Sequence, residues 1–501
     1  MTKNIMRFLF LFFILFSVNK LKADAIDDNI MKGLELLYNV NFDEAKSYFD
    51  KSISIDPTDP RGYLFSSNVH LWSYLFDNKD EQLSYFITLN DKTISVAEKR
   101  IKNNPNDIRS KLMLGMAYGY RAIGNIRAEN FVAGAMSGRT CYDKLMEVVK
   151  VNNKEWDAYL GLGIFHFAFG SIPQIGQFVT GLSGIKGDSK LGLQEILVTS
   201  ARGYYFKHDA KFINALLDIY YKNEKSKGLG VLQDMNIKYP KSVPLYYVIG
   251  TAYSEAGEVQ KALPYFDKII KDNNKDFKVF TALSYARSGM SYFLMNDFSK
   301  SKIYLQSFLK NYNEKLFKTQ VWSYLGICYE IEGNRENALK SYQRAKSTFG
   351  KTGEDISSKI KIMKLISNPL DAIDIDIIKG LNFIQVENFN DALTISKKLS
   401  NQQKLKPEQI SQINYILGSA YFGLKNYNIA NDFFAKAIAS SVNSEEKWVP
   451  PFCYFYMSEG FKILGDLKKS KDYLQSARNF KNYENEHLLR FKIERNITLI
   501  D

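Results

Sequence analysis

The sequence predicts an all-α solenoid of antiparallel helix pairs, on three observations. A Gly recurs with a Leu or aromatic three residues later, an Ala or Ser twelve later and often a bulky apolar residue sixteen later. Helix breakers are scarce, with 11 Pro, while 32 Tyr and 35 Phe supply large surfaces for packed helices. At 501 residues the chain exceeds what one hydrophobic core usually supports, and 45% hydrophobic content argues against disorder.

Residues 1–25 read as a secretory signal. Lys3 and Arg7 precede an apolar run from Phe8 to Phe16, Lys20 and Lys22 close it, and Ala23-Asp24-Ala25 offers small residues for cleavage. The run is short for a membrane span, and no Cys follows it as a lipoprotein would require. Export, to a periplasm or envelope in a bacterial cell, is the expectation, with a retained anchor as the alternative.

Residues 26–206 form a divergent helical region. Gly33 leads to Leu36, Ala45 and Phe49, and Pro57 ends the second helix. Gly115 and Tyr118 start another copy, which Gly124, Gly134 and Gly138 interrupt. A third starts at Tyr159-Leu160-Gly161-Leu162-Gly163 and enters an uncharged segment, residues 160–185, that holds His166 and Pro173. That segment has three readings: a buried hairpin, an apolar groove lined by Phe165, Phe169 and Phe178 that holds a lipid or partner helix, or a membrane insertion. Pro173 with Ser171, Gln174 and Gln177 argues against a spanning helix.

A central array follows over 207–346. Gly250 leads to Tyr253, Ala262 and Phe266; Gly289 to Tyr292, Ser301 and Leu305; Gly326 to Tyr329, Ala338 and Tyr342. Residues 347–372, with Gly350, Gly353 and Pro369, read as a break or connecting segment. The array over 373–501 resumes with Gly380, Phe383 and Ala392, then Gly418, Tyr421, Ala430 and Phe434. In its last copy Ser458 replaces Gly, before Phe461, Ser470 and Leu474. Small residues sit where two helices cross, and large ones three or four positions away share that face. Neither helix buries its stripe alone, so neighbouring pairs must stack.

This pattern resembles the tetratricopeptide repeat over most of the chain, although the copies from Gly250 lie further apart than the usual ~34 residues. The resemblance implies a right-handed superhelical, non-catalytic protein-binding scaffold whose first helices line a concave face. Tyr246, Tyr285, Ser323 and Tyr415 are the candidate partner contacts there. Over residues 111–205 the order Gly161-Leu162-Gly163-Ile164-Phe165, Ser171-Ile172-Pro173, Gly184-Ile185-Lys186-Gly187-Asp188 and Gly192-Leu193 resembles the yeast inclusion-body clearance protein and the tetratricopeptide repeat protein 39 group. That likeness implies a non-enzymatic role with links to lipid handling. Ser189 stands where that group usually has Arg, and a secretory signal departs from it.

Chemistry is sparse. His70, His166, His208 and His487 lack partners at metal-ligand spacing, and His166 among aromatics reads as a satisfied core residue. Gly184-Ile185-Lys186-Gly187-Asp188-Ser189-Lys190 lacks the Gly-Lys-Ser/Thr ending of a phosphate loop. Cys141, Cys328 and Cys453 are odd in number and far apart, which predicts buried thiols. The net charge of +13 is interspersed with acids, so nucleic acid is not the expected partner. No catalytic residue, metal or cofactor is expected. A protein partner is expected, with a lipid or membrane surface as the alternative.

Overall fold

The computed structural model describes residues 24–77, 79–171, 187–312, 317–350, 352–442, 444 and 447–500. Of the predicted signal, only Asp24 and Ala25 fall within that description. The described residues hold α-helices, one short 3-10 turn and no strand. Two compact units, Met1–Leu245 and Tyr246–Asp501, divide the chain.

The first unit runs through α1 (24–38), α2 (Phe42–Ile55), α3 (Pro60–Asp77), α4 (Asp80–Asn103), α5 (Ile108–Arg127), α6 (Phe131–Val151), α7 (Ala158–Ser171), α8 (Ser189–Arg202), α9 (Lys207–Tyr220) and α10 (Lys225–Lys238). Helix α11 (Val243–Glu255) carries the boundary. The second unit continues through α12 (Val259–Asp272), α13 (Lys278–Leu294), α14 (Phe298–Asn311), α15 (Lys318–Ile331) and α16 (Arg335–Lys346). Then come α17 (Gly353–Ser367), α18 (Ala372–Gln385), α19 (Phe389–Ser400), α20 (Pro407–Gly423), α21 (Tyr427–Ser440), α22 (Val449–Ile463), α23 (Leu467–Arg478) and α24 (Glu486–Ile500).

The small-residue rule holds atom by atom. A Cβ added to Gly33 would strike Phe49, at Gly250 Phe266, at Gly289 Leu305, at Gly326 Tyr342 and at Gly418 Phe434, all within 2.8 Å. Each partner lies sixteen residues on. In the last copy the hydroxyls of Ser458 and Ser470 meet at 3.0 Å in the buried seam.

The turns repeat as closely. Seven residues past each start the backbone is left-handed: Val40, Gly257, Asn296, Gly333, Glu387, Lys425 and Gly465. The next N–H then bonds the carbonyl of the residue three past the start, as Asn334 does to Tyr329 and Asp466 to Phe461 at 2.8 and 2.9 Å. This closes the first helix, and Asp297, Asn334, Asn388 and Asp466 cap the second with their side chains.

Between α5 and α6 the same turn is built on a different register. Glu129 is left-handed, and the Asn130 N–H bonds Asn125 at 2.8 Å. The start is therefore Ala122, seven residues after the Gly115 expected from the sequence. Gly134 and Gly138 occupy the twelfth and sixteenth places, and a Cβ added to Gly138 would come within 3.2 Å of the Phe165 ring of α7.

Each unit also makes contacts beyond its neighbours. In the first, the Arg61 side chain, 2% exposed, is held by Asp59 at 2.8 Å, by Asp27 of α1 and by the Tyr205 hydroxyl at 3.3 Å. The Asp157 carboxylate accepts the N–H groups of Tyr204, Tyr205 and Phe206 at 2.9–3.1 Å, fixing the α8–α9 corner. Tyr38 at the end of α1 donates to Asp209 of α9. Helix α1 thus packs on the α8–α9 corner.

In the second unit, residues 347–372 contain α17, which packs on α15, α16 and α24. The Asn485 N–H bonds Ser357 Oγ at 2.9 Å, and His487 fills the space over Gly353. Helix α18 returns to α13: the Asn382 amide donates to Phe293 O at 2.9 Å and Asn296 Oδ1 at 2.8 Å.

Candidate functional site

The second unit gathers half-buried aromatic and charged groups from several first helices. Arg287, two residues before Gly289, projects from α13. Its Nε reaches the Tyr247 hydroxyl of α11 at 3.5 Å, and its Nη2 lies 3.4 Å from Glu255. The guanidinium also sits 5.1 Å from the ring centre of Phe317, just ahead of α15. Phe317 has a left-handed backbone (φ 63°), which costs a bulky residue about 1 kcal/mol and sets the ring under the cation.

Tyr324, two residues before Gly326 on α15, meets Phe293 edge-on at 4.7 Å. Burial lifts its hydroxyl above the ordinary phenol range, and the charges of Lys361, Glu484 and Arg287 lie around it. Lys361 of α17 and Glu484 ahead of α24 are 3.6 Å apart. The cluster offers aromatic faces, an Arg and both signs of charge without a nucleophile–base pair. Such a mixture suits recognition, because Tyr and Arg bury much surface and form several hydrogen bonds on docking.

The predicted contact residues fall elsewhere. Tyr246 and Tyr285, each four residues before its Gly, pack at a tilt against Tyr265 and Tyr304 of the second helix in their own pair, both at 6.1 Å. Ser323 and Tyr415 were expected to be exposed and are buried. They sit three residues before the Gly, on the face the next pair covers; Tyr415 is enclosed by Trp448 at 5.0 Å, Phe434 and Tyr456. Tyr247 shares that offset before Gly250 and packs on Phe266 and Phe280, while Arg287 and Tyr324 stand two residues before their Gly. One step along a helix turns a side chain by about 100°, so neighbouring offsets present different faces.

Phe165 and Phe169 stack at 6.2 Å and pack on Tyr142, with Phe169 also against Ala135. They fill the seam between α6 and α7. Phe178 lies outside the described residues. His166 is satisfied in the core as expected: Nδ1 is 2.6 Å from Glu195 Oε2 and Nε2 is 3.3 Å from the Tyr142 hydroxyl. The three cysteines are buried and unpaired, and burial pushes the Cys141 and Cys328 thiols up to about 12. Among the described residues no group of three or more His, Cys, Asp or Glu is placed to hold a metal ion, and no helix is long and apolar enough to cross a membrane.

Two tetratricopeptide-repeat family models match, one at residues 29–59 and 243–275 and the other at 286–313, so the chain contains tetratricopeptide repeats. Neither reaches residues 111–205, and no match supports the likeness to the inclusion-body clearance group expected there. Among solved structures, the apo form of RapI is similar at 13% identity and a TM-score of 0.41, over 75% of this chain and 97% of that one. The apo form of the quorum sensor NprR from B. thuringiensis gives 13%, 0.30, 71% and 99% in the same order. The APC/C hetero-tetramer Cut9-Hcn1 gives 12%, 0.28, 96% and 98%. No curated protein matches.

Proposed function

We propose that this chain is an exported, non-catalytic scaffold that holds a segment of a protein partner against the Tyr247–Arg287–Tyr324 cluster. Tetratricopeptide repeats generally serve as protein-interaction surfaces, which supports the broad reading. The observation that carries the finer one is Arg287, set between an aromatic ring, a Tyr hydroxyl and a carboxylate while its side chain stays 20% exposed. A rigid surface of this kind lowers the ordering cost of binding an extended or helical segment. Export rests on the sequence of residues 1–25, and the cellular role of the inclusion-body clearance group is not carried over.

A photo-crosslinking amino acid at Tyr324 tests the site, with one at Tyr246 for comparison. Capture of a protein from the envelope fraction at 324, abolished by Arg287→Ala, is the expected result. Equal capture at both positions, or none at 324, overturns it. Fractionation of cells expressing the full chain tests export: recovery in the cytoplasm with residues 1–25 intact overturns that part.

A further inference from the structure

Helices α11 and α13 meet through a polar seam. Tyr247 packs edge-on against Phe280 at 5.4 Å, and its hydroxyl lies 3.5 Å from Arg287. Glu255 also reaches Arg287, at 3.4 Å, and the hydroxyls of Ser254 and Ser291 stand 3.4 Å apart. Thr251 lies four residues past Tyr247 and three before Ser254; Ser284 lies four past Phe280 and three before Arg287. Both therefore share the faces that make these contacts, and Ser288 follows Ser284 one turn on. The hydroxyls of Thr251, Ser284 and Ser288 are buried with no hydrogen-bond partner among the described residues, and Ser284 and Ser288 are 0% exposed.

The repeat marks this copy as an exception. Five and one residues before the Gly stand Leu245 and Ile249, Val321 and Leu325, and Ile413 and Leu417, all buried. Before Gly289 the same two places hold Ser284 and Ser288. The next seam, between α13 and α15, is closed by Phe293 on Tyr324 at 4.7 Å. A buried Ser brings little apolar area, and unpaired it brings no hydrogen bond.

We propose that the α11–α13 seam is a hinge within the second unit, which parts and admits water while the other seams stay closed. An unpaired buried hydroxyl gains a hydrogen bond when water reaches it, so parting this seam costs less than parting one filled by aliphatic side chains. Local opening of this kind draws on the least stable contacts of a fold. Arg287 reaches Tyr247 and Glu255 across the seam, so each opening separates α11 from α13 at that cluster. The hinge stands whether or not a protein segment binds there.

The test treats the full chain carrying Ser284→Cys with dithionitrobenzoate in buffer without denaturant, and maps the modified thiols by mass spectrometry. Native Cys328 of α15, also 0% exposed, is the comparison. The thiol at 284 is expected to react about tenfold faster than Cys328 or more, at a rate that low urea leaves unchanged. Adding Thr251→Val removes one unpaired hydroxyl and should slow that reaction about tenfold. Thr251→Val alone, with Ser284 in place, should raise the urea midpoint; this arm is free of any wedging by the new thiol. Reaction at 284 no faster than at Cys328, a rate that follows global unfolding in urea, or a lowered midpoint for Thr251→Val overturns the proposal.

Discussion

Single atoms decide much here. At Gly326 a methyl group would come within 2.2 Å of the Tyr342 ring, so Gly326→Ala should destabilise by about 1–3 kcal/mol in urea unfolding. Gly230, inside α10, has nothing within 4 Å of an added Cβ, and Gly230→Ala should stabilise by about 0.5–1 kcal/mol. Asp209 gives a pH signature. Burial raises its carboxyl to about 6, against the hydrogen bond from Tyr38. A carboxyl raised on folding contributes its stability below the unfolded value and loses it as pH rises through the folded one. Hydrogen exchange of α1 and α9 should therefore speed up as pH rises through about 6, after correction for intrinsic rates, and Asp209→Asn should flatten that change. The small residues that meet at crossings were legible because each is forced by its own helix pair. The cluster around Arg287 was not, since it joins residues of α11, α13, α15 and α17 whose contacts no local spacing encodes.

Whole elements follow from the turns. Val40 holds a left-handed backbone that a β-branched residue resists, so Val40→Gly should raise stability by about 1 kcal/mol. Gly257 and Gly333 share that conformation but differ in surroundings. A Cβ at Gly257 would lie 2.3 Å from the Gln385 carbonyl, whereas Gly333 is open. Thermal unfolding should show Gly333→Ala losing about 1 kcal/mol and Gly257→Ala clearly more. Most pairs were readable because Gly and Ala keep one offset. The α5–α6 pair was misregistered because Ala122 takes the place of the Gly, with glycines where larger residues usually stand. Helix α17 was read as a break on the strength of Gly350, Gly353 and Pro369. Gly350 and Pro369 flank it, Gly353 is its first residue, and the Thr352 hydroxyl accepts the Asp355 N–H at its start.

Across a unit, the decisive contacts join distant residues. Asn382→Ala would remove its donors to Phe293 O and Asn296 Oδ1, leaving the Phe293 carbonyl the Asn296 N–H at 2.9 Å. The expected loss is about 1–3 kcal/mol, read as faster hydrogen exchange in α13 and α18. A sequence repeat predicts neighbours and is silent on such returns, so the packing of α1 on the α8–α9 corner and of α24 on α17 could not be foreseen. These returns bear on kinetics. A simple repeat array can nucleate at any pair and zip outward. Here Asp27 must find Tyr205, and Ser357 must find Asn485, 178 and 128 residues away along the chain. Long-range closure slows folding, so refolding after dilution from urea should show a late phase that mutations at Tyr205 or Ser357 alter.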